Sequence, residues 1–220
     1  GMMEWVGSGF LANGAATAAG VVEEAALPFD RRRHGTILGA GAAALVLETA
    51  EAAEARGVVP LADLLSTWHA NSAFHATRLD VEHVSSCFER LVSGAERRFE
   101  TPRVDIAARA AFVSHETFTP ARGGSAAAEI AGLRHAFGED ADRIVIANLK
   151  GYTGHAMGAG LEDVLAVEML VRGAAPPVPN LTEPDATLGD LNYARGGSYD
   201  LDYVVRLAAG MCSQLALGLW

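Results

Sequence analysis

Short apolar runs alternate along the chain with stretches of helical spacing. The runs 110–113 and 143–147 are apolar and partly β-branched, which is typical of buried strands. In 81–96 and 161–172 the apolar residues recur every three or four positions, which predicts amphipathic helices. An alternation of strands and helices on this scale indicates an α/β domain.

The same criteria predict the remaining elements. We expect strands at 42–47, 61–68, 201–206 and 215–219, and helices at 15–26, 48–56 and 125–137. Ser125 is a suitable N-cap for the last of these helices, and Gly138 is a suitable residue to end it. The proline-rich segment 176–181 is predicted to be extended, because proline cannot continue a helix.

Composition narrows the class of protein. The chain has 220 residues, of which 50% are hydrophobic, so we expect one folded domain over 1–220. No apolar run reaches the roughly 18 residues that a membrane span requires, and the first residues lack the features of a signal peptide. Two cysteines do not make a disulfide framework, which favours a cytoplasmic location.

The charge distribution bears on binding partners. A formal net charge of −10 argues against broad binding to nucleic acid, because the phosphate backbone attracts basic surfaces. Two basic clusters, 31–33 and 97–98, are candidate sites for an acidic partner protein. A solvated charged face is the alternative interpretation of each cluster.

The stretch from Asn148 to Gly160 carries the most chemistry. It is rich in glycine, contains Lys150 and His155, and lies between a predicted strand and a helix expected to begin near His155. Unpaired N–H groups at a helix start carry partial positive charge, and glycine permits close approach of a ligand. The stretch therefore suits a carboxylate, a thioester oxygen or a phosphate. The alternative is a strand–loop–helix connection with an exposed lysine.

Three segments resemble the β-ketoacyl synthases, the condensing enzymes of fatty acid and polyketide synthesis. Residues 150–155, KGYTGH, are similar to the family's K-x-x-x-G-H, and 113–120, VSHETFTP, contain a segment similar to H-G-T-x-T-P. Residues 28–42 are similar to P-F-D-x-x-R-D-G-x-x-L-G-E-G-A. The order and approximate spacing also match. The resemblance implies a thiolase-like α-β-α-β-α layered α/β fold, of which this chain is the C-terminal half of a ketosynthase domain.

The resemblance also implies a catalytic set. His115 and His155 correspond to the two active-site histidines, which as neutral imidazoles can donate N–H groups to a thioester carbonyl where negative charge develops. Lys150 corresponds to the family's lysine and is expected to act electrostatically, since its free pKa lies near 10.4. A buried lysine needs a partner, and the alignment indicates Glu129.

Further positions are implied to line the substrate pocket. These substrate-binding candidates are Thr117, Thr119, Thr153 and Met211. Met211 occupies the position of a phenylalanine that gates the acyl pocket, with Cys212 beside it as a wall residue. His75 lies in a segment similar to S-D-A-x-H, and a plain surface histidine is the alternative.

The family's nucleophilic cysteine is missing from the matched segments. It lies in a T-A-C-S-S type segment upstream of them, and neither Cys87 nor Cys212 has that context. Cys87 falls in a predicted helix and is expected to be a buried thiol. We therefore expect an N-terminal ketosynthase half, or a partner chain, to supply the nucleophile.

The implied reaction is decarboxylative Claisen condensation of a malonyl-type extender with an acyl primer. Both groups are carried on the phosphopantetheine of an acyl carrier protein, so the chain is expected to hold no cofactor and no metal. The complete domain is expected to be a homodimer, without nucleic-acid or membrane partners.

Departures from the family motifs leave alternatives open. Glu116 replaces a glycine, Phe118 a small residue, His34 an aspartate and Ala40 a glutamate. A non-catalytic ketosynthase-like subunit, either a chain-length factor or a scaffold, is the main alternative. A thiolase is a second alternative, against which the K-x-x-x-G-H segment and the absence of a G-H-P segment argue.

Overall fold

A mixed five-stranded sheet is the centre of the computed structural model, which describes residues 4–75, 78–119, 124–156 and 160–220. Its strands are β1 (Ser66–Asn71), β2 (Ala110–Ser114), β3 (Val145–Asn148), β4 (Tyr203–Gly210) and β5 (Gln214–Leu219), in the order β1-β5-β4-β2-β3. β2 runs parallel to β3 and β4, whereas β5 is antiparallel to β4 and β1.

Eight helices are described around this sheet. They are α1 (Glu4–Ala12), α2 (Val22–Ala25), α3 (Ala50–Ala55), α4 (Val81–Phe99), α5 (Arg103–Ala108), α6 (Gly124–Phe137), α7 (Lys150–Thr153) and α8 (Gly160–Arg172). Short 3-10 turns lie at Gly138–Arg143, Ala186–Leu188 and Met211–Ser213.

Helices cover both faces of the sheet. In β2, every residue of which is buried, Phe112 belongs to the apolar cluster shared with α4 and α6. Its neighbours Ala111 and Val113 belong to the opposite cluster, which includes residues of α8. Since side chains alternate between the faces of a strand, burial on both faces requires the uninterrupted apolar run seen in the sequence.

The contact between α4 and α6 depends on a glycine. A Cβ atom added to Gly132 would lie 2.5 Å from Cδ2 of Phe88, and the Phe88 ring is fully buried. Glycine is a poor helix former, so its presence inside α6 reflects the close approach of the two helices.

The predicted mixed sheet with flanking helices is confirmed. Strands β2, β3, β4 and β5 and helices α3, α4, α6 and α8 all overlap the predicted ranges. The extended segment 176–181 contains no helix, as expected. The strand predicted at 61–68 occurs as β1, which begins five residues later, at Ser66.

Two predicted elements are wrong. The segment 42–47 forms no strand, and Val46 is 90% exposed, because no strand in the described part of the chain pairs with it. The helix predicted at 15–26 is reduced to α2, because Ala16 forms a β-bridge with Thr36 instead. In this region tertiary pairing overrides the helical preference of alanine.

Several sequence interpretations touch residues outside the described ranges. Residue 120, the proline of the second motif, and 157–159 of the glycine-rich stretch are among them.

The prediction that Ser125 is an N-cap is wrong, because Ser125 lies inside α6 and its hydroxyl donates to a carboxylate oxygen of Glu116 at 2.8 Å.

Candidate active site

The candidate site lies where two parallel strands end. β2 and β3 are hydrogen-bonded neighbours, with Ser114 opposite Asn148 at their carboxyl ends. His115 follows β2 directly, and α7, which begins at Lys150, follows β3. Functional side chains of α/β sheets gather at such an edge, because successive strands deliver their loops to the same side.

A cavity of about 540 Å³ opens at this edge. Its walls come mainly from the loop after β2, from the 150–155 segment and from the β4–β5 hairpin, with further residues from the first 36 positions, from the start of α6 and from Leu79. They comprise Phe10, Ala15, Thr36, Leu79, His115, Thr117, Thr119, Ser125, His155, Ala208, Ala209, Gly210, Met211, Gln214, Leu215 and Ala216. The rings of His115 and His155 stand edge to face, with their centroids 5.4 Å apart and their planes at 89°.

The hydrogen bonding of His115 fixes its tautomer. The backbone N–H of Ala209 donates to His115 Nδ1 at 3.1 Å, so Nδ1 of the neutral ring carries no proton. The proton therefore resides on Nε2. Burial, and then the positive charge of Lys150, hold the pKa of His115 well below its ordinary value. His115 is thus a neutral N–H donor at physiological pH.

His155 is held by its backbone. Its N–H donates to the carbonyl of Ile37 at 2.7 Å, and the N–H of Gly39 donates to the His155 carbonyl at 3.0 Å. A Cβ on Gly39 would lie 2.0 Å from the carbonyl oxygen of Thr153, so this contact requires glycine. The expectation that a helix begins near His155 is wrong, because this pairing holds the residue in a β-bridge with Leu38.

The imidazole of His155 is also neutral. Burial, with a further contribution from Lys150, lowers its pKa to about 4. Its Nδ1 is buried and accepts or donates no hydrogen bond within the described residues. The cavity therefore presents two uncharged imidazoles to whatever occupies it.

Lys150 is buried and does not line the cavity. Its side chain is 2% exposed, and its ammonium pairs with the carboxylate of Glu162 in the first turn of α8. The predicted pairing of Lys150 with Glu129 is wrong. The Lys150 ammonium contacts Glu162, and Glu129 accepts hydrogen bonds from Ser114 and from the His115 backbone. Sequence reasoning missed Glu162, since an acidic residue in a first helical turn is explained by the helix dipole.

Glu129 instead holds the end of β2. One oxygen of Glu129 accepts two hydrogen bonds, one from the Ser114 hydroxyl at 2.6 Å and one from the His115 backbone N–H at 3.0 Å. Burial, and then the nearby charge of Glu116, raise the pKa of Glu129 to about 7. Glu129 thus contacts the catalytic candidate His115 through its backbone.

The other predicted positions separate into two groups. Thr117, Thr119 and Met211 line the cavity, whereas the Thr153 hydroxyl turns to the carbonyl of Gly154 at 2.9 Å and lies outside the lining. His75 is exposed and also lies outside the lining, in agreement with the alternative of a surface histidine.

The two cysteines occupy different environments. Cys87 is 2% exposed, and burial raises the pKa of its thiol, which confirms the prediction of a buried, unreactive side chain. Cys212 is partly buried beside Met211 and has a φ of 61°, in the left-handed region that L residues rarely adopt.

The basic cluster 31–33 is paired within the chain. Arg31 contacts Glu183, and Arg32 donates to Asp30 at 2.8 Å. Arg33 is buried and contacts Asp185 at 2.7 Å. These contacts offset the positive charge that made the cluster 31–33 a candidate site for an acidic partner protein.

Neither a metal centre nor a membrane-spanning helix is found in the described residues. No group of three or more His, Cys, Asp or Glu side chains among them is arranged to hold a metal ion. No helix in these ranges is both long and apolar enough to cross a bilayer.

Two curated proteins similar to this chain carry the same activity name. The 3-oxoacyl-(acyl-carrier-protein) synthase 2 of Coxiella burnetii is 33% identical over 167 residues, covering 74% of this chain and 38% of that protein. The enzyme of the same name from Vibrio harveyi is 31% identical over 187 residues, covering 83% and 43% respectively. The chain thus spans less than half the length of these relatives. No protein-family model matches it.

Solved structures give the same assignment. A β-ketoacyl synthase from Burkholderia phymatum superimposes with a TM-score of 0.85 at 26% identity, covering 99% of this chain and 52% of that one. A type II polyketide acyl-carrier protein in complex with its ketosynthase gives 0.81 at 26% identity, covering 97% and 52%. The chain therefore belongs to the β-ketoacyl synthase family of fatty acid and polyketide synthesis and has the thiolase-like fold of the C-terminal part of these proteins.

Proposed function

We propose that this chain supplies the decarboxylation and oxyanion-binding half of a condensing active site. The reaction is decarboxylative Claisen condensation of a malonyl-type extender with an acyl primer. The supporting observation is the pair of neutral imidazoles, His115 and His155, that face one cavity with ring centroids 5.4 Å apart.

The chemistry requires donors that do not give up their protons. When the malonyl thioester loses CO2, the electrons of the broken C–C bond pass to the thioester, whose oxygen becomes negative. N–H donors preorganised around that oxygen stabilise it, each typically contributing 10²–10³ in rate. A charged imidazolium would protonate the enolate carbon, so the low pKa of His155, about 4, suits this role.

The second step forms the new carbon–carbon bond. The enolate carbon attacks the carbonyl of the acyl group held on a cysteine, and the cysteine thiolate leaves. That cysteine comes from a segment outside this sequence, such as the N-terminal half of the ketosynthase or a partner chain. Thr117, Thr119 and Met211 line the cavity, and we expect them to contact the phosphopantetheine and acyl chain delivered by an acyl carrier protein. The complete domain is expected to act as a homodimer.

The test uses the protein assembled with its nucleophile-bearing segment. Malonyl-carrier decarboxylation is measured for the wild type, for His115→Ala, for His155→Ala and for the control His75→Ala, which changes an exposed histidine outside the cavity. Each of the first two variants is expected to lose on the order of 10²–10³ in rate, and the control none. Unchanged decarboxylation in His155→Ala, with the fold retained, contradicts the proposal.

A non-catalytic chain-length factor or scaffold is the second candidate. It is favoured by the sequence context of Cys87 and Cys212, neither of which matches the nucleophile segment. The complementing segment distinguishes the two functions: a T-A-C-S-S type cysteine supports catalysis, and glutamine or alanine at that position supports a scaffold. Mass spectrometry of the purified complex identifies that segment.

A further inference from the structure

Glu116 is a buried carboxylate that the proposed reaction leaves without a role. It follows His115 directly, is 0% exposed, and stands where the resembling motif has glycine. One oxygen accepts hydrogen bonds from the Ser125 hydroxyl at 2.8 Å and from the Ala126 backbone N–H at 3.0 Å. The other oxygen accepts from the Phe118 backbone N–H at 3.2 Å.

These bonds join two separate elements. Ser125 and Ala126 lie in the first turn of α6, whereas Phe118 lies in the loop that carries His115 and lines the cavity. The first N–H groups of a helix have no partner within the helix and favour negative charge. The carboxylate of Glu116 thus caps α6 from the loop and anchors the loop to the helix.

The loop needs such an anchor because part of it is strained. Phe118 has a φ of 62° and a fully buried side chain. A bulky residue in this region of φ costs about 1–3 kcal/mol and persists only when its surroundings hold it there. Its carbonyl accepts from Gly35 N–H at 3.0 Å, and its N–H is held by Glu116.

The two threonines of the cavity flank the strained residue. Thr117 and Thr119 both line the cavity, and their hydroxyl oxygens lie 3.5 Å apart. Phe118 points away from the cavity into the interior. Relaxation of Phe118 to a normal φ would therefore rotate the threonines and displace His115.

Burial raises the pKa of Glu116, and its hydrogen bonds to α6 and Phe118 and the charge of Arg33 act in the opposite direction. Arg33 Nε lies 3.5 Å from one oxygen, and Arg33 itself is fixed by Asp185 at 2.7 Å. Glu129 is the nearby acidic group, and its raised pKa keeps it protonated in part near neutral pH. Arg33 and the start of α6 are the two features that favour negative charge on Glu116.

We propose that Glu116 is a positioning residue, which ties the 115–119 loop to α6 and thereby fixes His115, Thr117 and Thr119 in the cavity. Its effect on catalysis depends on the proposed condensing function. The tie between loop and helix does not depend on that function. The experiment therefore measures both.

Three variants of the assembled protein test the proposal. Glu116→Gln keeps the shape but replaces one acceptor oxygen by an N–H₂ group, and Glu116→Asp keeps the charge on a side chain one methylene shorter. The matched control, Asp185→Asn, removes a carboxylate from the same Arg33 without touching the loop. Amide hydrogen exchange at Phe118 and Ala126 reports the tie, and kcat/KM for malonyl-carrier decarboxylation reports its consequence.

Glu116→Gln is expected to lower exchange protection by tenfold or more at whichever of Phe118 and Ala126 faces the new N–H₂ group, because a charge-assisted hydrogen bond of about that strength is lost there. It is expected to lower kcat/KM roughly 10²-fold, since a displacement of about 1 Å has that effect. Glu116→Asp should recover part of both losses. Asp185→Asn should change both much less than Glu116→Gln does, because the hydrogen bonds from Phe118 and Ala126 to Glu116 remain.

Two results would overturn the proposal. One is wild-type protection at both Phe118 and Ala126 in Glu116→Gln. The other is a loss of kcat/KM that follows the loss of thermal stability equally in Glu116→Gln and Asp185→Asn, which indicates a merely structural role. If the wild type itself does not decarboxylate, the proposed function fails, and the exchange measurement still decides whether Glu116 ties the loop.

Discussion

The ion pair between Lys150 and Glu162 gives the sharpest test of the site's electrostatics. Their side chains are 2% and 4% exposed, and the second oxygen of Glu162 has no hydrogen-bond partner in the described residues. Removing one partner of such a buried pair leaves the other charge uncompensated in a medium of low polarity. We therefore expect Glu162→Leu and Lys150→Met each to destabilise the protein by about 3–5 kcal/mol.

The double variant should behave differently. When both charges are removed together, no unpaired charge remains, and apolar replacements of similar volume are often neutral or stabilising by about 1–4 kcal/mol. The unpartnered oxygen of Glu162 strengthens this expectation, since its desolvation is not offset in the native state. The coupling between the two positions should therefore amount to several kcal/mol.

Urea unfolding of the four proteins in the cycle measures that coupling. A parallel cycle with Glu129→Gln in place of Glu162→Leu is the control, because Glu129 makes its hydrogen bonds to Ser114 and the His115 backbone. Coupling of Lys150 to Glu129 that exceeds its coupling to Glu162 would refute the assignment of partners. A second readout is NMR titration of His155, whose pKa of about 4 should rise in Lys150→Met because a neighbouring positive charge is removed.

Two further predictions concern pH and backbone strain. Because burial raises the pKa of Glu129 from 4.5 to about 7, its contribution to stability is fully present below pH 4.5 and is lost as pH rises through about 7. Glu129→Gln should abolish this loss. The free energy of unfolding of this variant, measured with urea, should then rise between pH 4.5 and 6.5, because the folded protein holds His155 neutral through its lowered pKa. A dependence on pH equal to that of the wild type would contradict this expectation. Cys212→Gly should raise the melting temperature by relieving a φ of 61°, whereas Cys212→Ala should not, and equal behaviour of the two would exclude strain.

The sequence correctly predicted those helices and strands whose pattern of apolar residues results from burial against other parts of this chain. α4 has its apolar residues at helical spacing because one face packs on the sheet, and β2 is uniformly apolar because both of its faces are covered. Periodicity therefore located them. The segment 15–26 failed because its small residues carry no periodic signal, and a single bridge between Ala16 and Thr36 decides its conformation.

The sequence motifs indicate which residues gather at the candidate site, but not which of them form ion pairs or hydrogen bonds with one another. The motifs predicted that His115, His155 and Lys150 lie close together. Both histidines line the cavity, and Lys150, which does not, is near enough for its charge to lower the pKa of each histidine. Partner choice depends on distances between elements far apart in sequence, which no local pattern encodes. The sequence could not show that Glu162 pairs with Lys150, or that Glu116 spans the loop and α6.

The segment 42–47 is apolar, but it forms no strand in the described part of the chain. Its residues have strand propensity, yet Val46 and Leu47 are 90% and 64% exposed, and Val59 is 86% exposed on a nearby part of the sequence. Exposed apolar runs on a folded protein mark interaction surfaces, because water disfavours them. The proposed nucleophile-bearing half is a partner that would cover such surface. On this argument we expect the apolar residues at 42–47 to form part of an interface with that half.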